Sequence, residues 1–125
     1  MKELYKIHAE MCKVFSNPTR LEILNLLRDK ELSVTELIEK TKLSQANISQ
    51  HLSIMKSKGI VTSDRKGKNI YYKLTNPKII KAFDIIREVL AETLKKRGFL
   101  AHRKASFSSE LKKNGKIVQN YEVLE

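Results

Sequence analysis

Apolar residues recur at three- and four-residue steps through the first fifteen positions: Leu4, Ile7, Met11, Val14 and Phe15. That spacing predicts a helix over 2–15 with one apolar stripe. The "SNP" at 16–18 interrupts it. Asn17 suits a helix cap and Pro18 suits the first helical position, so a second helix starts there. Leu21, Ile23, Leu24, Leu26 and Leu27 make this helix apolar around much of its girth, which places it centrally. "SVTE" at 33–36 is a capping box, in which the Ser33 hydroxyl and the Glu36 carboxylate serve free amide donors. It opens a third helix over 33–40, with Val34, Leu37 and Ile38 inward. "KTKLS" is a short turn, after which Ser44 caps a fourth helix running to about Lys58. Gly59 supplies a left-handed end. The pattern then changes. "IVTSDR" and "NIYYKL" are β-branched and aromatic segments separated by "KGK", which predicts a hairpin. Asn76 and Pro77 begin a last helix over 77–97, ended by Gly98. Ile79, Phe83, Ile86, Leu90 and Leu94 line one side of it. Ile80, Ile85 and Val89 widen that surface beyond what one small core uses.

Helix, helix, helix, turn, helix, hairpin, long helix is the order of a winged helix-turn-helix: mainly α, with a two-stranded β-hairpin as the wing. On a helical wheel of the fourth helix, Ile48, Leu52 and Met55 fall together and face the core. Opposite them lie Ala46, Gln50, Ser53 and Ser57, flanked by Asn47 and Ser49. All are small or uncharged, in a chain otherwise full of Lys and Glu. A major groove admits a helix only where side chains are short enough for close approach. Asn and Gln offer a donor and an acceptor together, matching adenine's edge. The outer face therefore suits base edges. His51 sits at the border of the core stripe, where either a phosphate contact or plain packing fits.

Charge strengthens this picture. Lys and Arg number 25 against 14 acids, a net charge of +11. Residues 44–75 hold six basic side chains (Lys56, Lys58, Arg65, Lys66, Lys68, Lys73) against Asp64 alone. A basic domain suits a polyanionic partner, because neutralised phosphates release counterions. The hairpin tip "DRKGKN" places Arg65, Lys66 and Lys68 beside Gly67, within reach of phosphates or the adjacent minor groove. Of Tyr71 and Tyr72, which alternate in direction, one is expected to pack inward.

The 125 residues fit one domain, here taken as 1–97 with a C-terminal extension, 98–125, of no assigned role. "KIVQNYEVLE" in that extension is compatible with a strand, a short helix or a tail. No apolar run reaches a membrane-spanning length. The first residues lack the continuous apolar segment of a signal peptide, so a cytoplasmic location is expected. Cys12 is the only cysteine and excludes an internal disulfide. No nucleophile elbow, P-loop or dinucleotide motif is present, so neither catalysis nor a cofactor is expected. A winged helix used for protein assembly, or one that binds RNA, is the alternative. The former predicts exposed aromatic or aliphatic anchors on the fourth helix, and the latter a stacking platform.

"NPTRLEILNLL" (17–27), "SVTELIEKTKLSQANISQHLSIMKSKGIV" (33–61) and "RKGKNIYYKL" (65–74) together resemble the ArsR/SmtB-type winged-helix transcription regulators, over about residues 10–97. The resemblance implies a homodimer joined through the first and last helices. It also implies a palindromic double-stranded DNA operator and repression relieved by a signal. Carried over residue by residue, Ser44, Gln45, Asn47, Ser49, Gln50 and His51 approach DNA from the fourth helix. Arg65, Lys66, Lys68 and Asn69 do so from the wing. Leu4, Ile7, Met11, Phe83, Ile86, Leu90 and Leu94 are the matching dimer residues. The metal sites of the family do not carry over. Ser33 and Thr35 stand where many members have thiolates, and hydroxyls are poor ligands for soft ions. Asp84, Glu88 and Glu92 on the last helix lack a histidine partner for zinc. His8 and Cys12, one helical turn apart, are the remaining metal or redox candidates. Cys12 continues the apolar stripe, so packing is its expected role. His102 lies in the extension and supports neither role.

Overall fold

In the computed structural model the described residues are 1–97; the expectations for Gly98 and for the extension lie outside them. The chain divides into two compact units, Met1–Pro77 and Lys78–Glu125. The first holds α1 (Lys2–Val14), α2 (Pro18–Leu26), β1 (Leu32–Ser33), α3 (Val34–Thr41), α4 (Gln45–Ser57), β2 (Val61–Lys66) and β3 (Asn69–Leu74). The described part of the second is α5 (Lys78–Lys96).

Local chemistry sets the helix boundaries. Asn17 Oδ1 accepts from the Arg20 backbone N–H at 3.0 Å, with Pro18 in the first turn of α2. Ser33 Oγ accepts from the Glu36 N–H at 3.1 Å, and the Ser33 N–H donates to Glu36 Oε1 at 3.2 Å, completing the capping box of α3. Ser44 Oγ accepts from the Asn47 N–H at 3.1 Å to start α4. Gly59 ends α4 with φ +74: its N–H donates to Lys56 O at 3.0 Å, and the Ile60 N–H donates to Met55 O at 2.9 Å. This pair of bonds is a Schellman motif, which satisfies carbonyls the helix leaves open. The turn between α3 and α4 uses Lys42 in the left-handed region, at φ 61, in place of a glycine.

The core of the first unit is built where the apolar stripes converge. Ile23, Leu24 and Leu27 of the α2 segment, Leu37 of α3, and Ile48, Leu52 and Met55 of α4 are buried, with Val61 at the start of β2. The central placement expected of α2 holds, although Leu21 and Leu26 are only half-buried.

The sheet differs from the expected two-stranded hairpin. It has three antiparallel strands in the order β1-β3-β2, with Leu32 opposite Tyr72 and Ser33 opposite Tyr71. The hairpin turn is also tighter than "KGK" suggested. Lys66 pairs with Asn69, so Gly67 and Lys68 alone form the loop. Gly67 has φ +64 and Lys68 no positive φ, the pattern of a type II′ turn, whose twist matches that of the strands. Tyr71 and Tyr72 are both half-buried, each beside a residue of β1 in the ladder, so neither packs fully inward.

Candidate nucleic-acid interface

The polar face of α4 stands out from the core as the wheel requires. Ser44, Gln45, Ala46, Asn47, Ser49, Gln50, Ser53 and Ser57 are exposed, while Ile48, Leu52 and Met55 on the inner side are buried. The Ser57 hydroxyl donates to Ile54 O at 2.8 Å, within its own helix. The Asn47 and Gln50 amides carry both a donor and an acceptor outward. No acid lies on α4, so nothing on that face repels phosphate.

His51 is half-buried at the edge of the stripe. Its Nδ1 is buried without a hydrogen-bond partner. Burial first, and the nearby Arg20 guanidinium second, hold its pKa below the ordinary 6.5 of an imidazole, so near neutral pH the ring is uncharged. Arg20 carries no motif that marks it for this role; only the packing of α2 beside α4 brings it into play.

On the wing, Arg65, Lys66, Lys68 and Asn69 are all exposed. Their environments differ. Arg65 Nε donates to Gly67 O at 3.4 Å, a neutral carbonyl, and no ion pair holds it among the described residues. Lys66 Nζ forms an ion pair and hydrogen bond with Glu31 Oε1, and lies 5.5 Å from the centroid of the Tyr71 ring. The bond to Glu31 is the main cause that raises the Lys66 pKa above its ordinary 10.5. Glu31 was invisible to sequence reasoning because it stands 35 residues from Lys66.

The apolar residues expected at a dimer contact divide. Leu4, Ile7 and Met11 on α1 are exposed, Ile7 at 58%, as are Ile86 and Leu90 on α5, Ile86 at 62%. Tyr5, Ile85 and Val89 join these exposed apolar sets. Leu94 is half-buried. Phe83, at 6% exposure, is buried and so differs from the exposed members of the set. Cys12 is exposed too, because the stripe of α1 is covered in the single chain only at Val14 and, just past the helix, partly at Phe15. His8 is exposed as well, and among the described residues no group of three or more His, Cys, Asp and Glu could hold a metal ion. Among those residues no helix is long and apolar enough to cross a membrane.

The model of bacterial regulatory proteins of the arsR family matches residues 17–63, which run from the cap of α2 into β2. A helix-turn-helix transcriptional regulator of Mycobacterium tuberculosis, Rv0081, is 36% identical over 95 residues, covering 75% of this chain and 83% of its own. Its crystal structure superposes with a TM-score of 0.69 over 75% of this chain and 95% of that one. The transcriptional repressor PagR of Bacillus anthracis is 43% identical over 72 residues, covering 57% of this chain and 72% of its own. The homodimeric winged helix-turn-helix DNA-binding domain of Mb0332 from Mycobacterium bovis, solved in solution, is 28% identical with a TM-score of 0.67, covering 76% of this chain and 88% of that one. With its capped α3–turn–α4 unit, its polar α4 face and its basic hairpin, this chain belongs to the ArsR family of winged helix-turn-helix transcriptional regulators.

Proposed function

We propose that the chain is a sequence-specific repressor that binds a palindromic DNA operator as a homodimer, without the family's thiolate or histidine metal ligands. The observation that carries this is the outer face of α4. Ser44, Gln45, Asn47, Ser49 and Gln50 are exposed and uncharged opposite a fully buried stripe. Such a rod enters a major groove and hydrogen-bonds base edges, while Arg65, Lys68 and Asn69 fix its register from the backbone. His51 adds a neutral imidazole at the margin of that face. Dimerisation through the exposed apolar residues of α1 and α5 removes them from water and sets two copies of α4 on one duplex. The homodimeric relative from Mycobacterium bovis supports the assembly, and the repressor PagR supports the direction of control.

The test is selection of bound duplexes from a random library, with and without zinc, followed by a reporter carrying the selected site. Inverted half-sites about one DNA turn apart, or a multiple of it, are expected, with no response to zinc and reduced transcription. A monomeric chain with no enriched sequence at low salt overturns the proposal. Increased transcription overturns the repressor assignment alone.

A further inference from the structure

Not all of the wing's positive charge faces outward unopposed. Side chains alternate between the faces of a strand, so the ladder puts particular residues together. Lys66 stands opposite Asn69, Tyr71 follows two residues later on the same face, and Ser33 of β1 is Tyr71's partner. Glu31, two residues before Ser33, emerges on that face too. There the Lys66 ammonium lies across the Tyr71 ring and donates to Glu31 Oε1. Asp64, which pairs with Tyr71 in the ladder, adds a second acid to its surroundings.

We propose that Glu31 is a positioning residue for DNA binding, which clamps Lys66 on Tyr71 and withholds one cation per wing from the phosphate backbone. The inference rests on the DNA-binding function proposed above and deepens it. A half-exposed ion pair matters little to the fold. It matters more to a polyanion, since each phosphate neutralised releases counterions and steepens the salt dependence of affinity. Even where a phosphate draws Lys66 away, Glu31 stays behind, so the local charge offered to DNA is unchanged. Arg65 donates to a carbonyl and, among the described residues, to no acid.

The experiment measures binding of the full chain to a random-sequence duplex by fluorescence anisotropy, from 50 to 200 mM salt. Glu31→Gln should bind more tightly at low salt, with a log–log salt slope steeper by about 0.9 per wing. Its advantage over the parent then shrinks by about 3.5-fold per wing across that range. The double variant Glu31→Gln/Lys66→Ala should return to the parent's slope, because the released cation is gone. Glu22→Gln, which removes an exposed acid on α2, adds the same net charge away from the sheet and should leave the slope nearly unchanged. An unchanged slope in Glu31→Gln, a gain that survives in the double variant, or an equal gain in Glu22→Gln overturns the clamp. A parent chain that binds no duplex at all overturns the DNA-binding function itself.

Discussion

The α4 helix and the β2–β3 hairpin lie next to each other in the chain yet solve opposite problems. On α4 the outward residues are Ser, Gln, Asn and Ala, and the inward ones are buried Ile48, Leu52 and Met55. On the hairpin the tip is cationic and exposed, with full burial confined to Val61 and Leu74 at its base and Ser63, Tyr71 and Tyr72 half-buried between. A reader of base edges needs a rigid backing and short neutral groups. A phosphate contact needs charge, and tolerates a looser support. The difference lies in what each element can lose. Damage to α4 should remove both fold and discrimination, whereas damage to the wing should remove affinity alone.

The harshest way to probe that contrast is Leu52→Ala, which leaves a cavity behind the face proposed to read bases. It should cost about 2–5 kcal/mol of stability, seen in urea unfolding, while Lys68→Ala at the wing should leave the unfolding midpoint in place. Equal destabilisation by the two would erase the distinction. On the proposed reading face itself, Gln50→Ala should sacrifice about 1–3 kcal/mol of discrimination between the preferred duplex and its single-base variants. Competition binding would show this as flattened preference. Lys68→Ala should instead weaken every duplex alike and lower the salt slope by about 0.9 per wing. Ser44→Ala comes next: losing the bond to the Asn47 amide should cost about 1 kcal/mol of stability, with a parallel loss of affinity as the first turn of α4 frays. Retained stability would mean that this cap is dispensable.

Protonation gives the smallest effect and again separates the two regions. An unfolded imidazole titrates near the ordinary 6.5, and that of folded His51 lies lower. As pH falls through 6.5 the unfolded chain takes up the proton first, so stability declines until the folded value is passed. Thermal unfolding at pH 7.5 and 5.5 should show this decline in the parent and less of it in His51→Gln. The same decline in both would clear His51 of the effect. Lys66, its pKa raised, stays charged throughout that range.

What could be read from residues alone follows the range of each interaction. The caps at Asn17, Ser33 and Ser44, and the left-handed Gly59, each act within about one helical turn, and so leave a signature in consecutive letters. The face of α4 was legible for the same reason, since periodicity assigns sides to a helix. The strand β1 was not: two residues are too few to show alternation, and its partner lies some forty positions away. Glu31 escaped notice by the same distance. Cys12 and Phe83 teach a separate lesson. A stripe of apolar letters tells which side of a helix avoids water, but not whether the single chain covers it. Covered Phe83 and uncovered Cys12 look alike until the packing is known.

Ser33 holds two posts at once: its hydroxyl caps α3, and its backbone is the rung that joins β1 to Tyr71. A single residue thus ties the helical half of the motif to the arm beside it. A shift at the start of α3 would pull on that rung as well, which makes Ser33 the place where strain in the helices would first be felt by the strands.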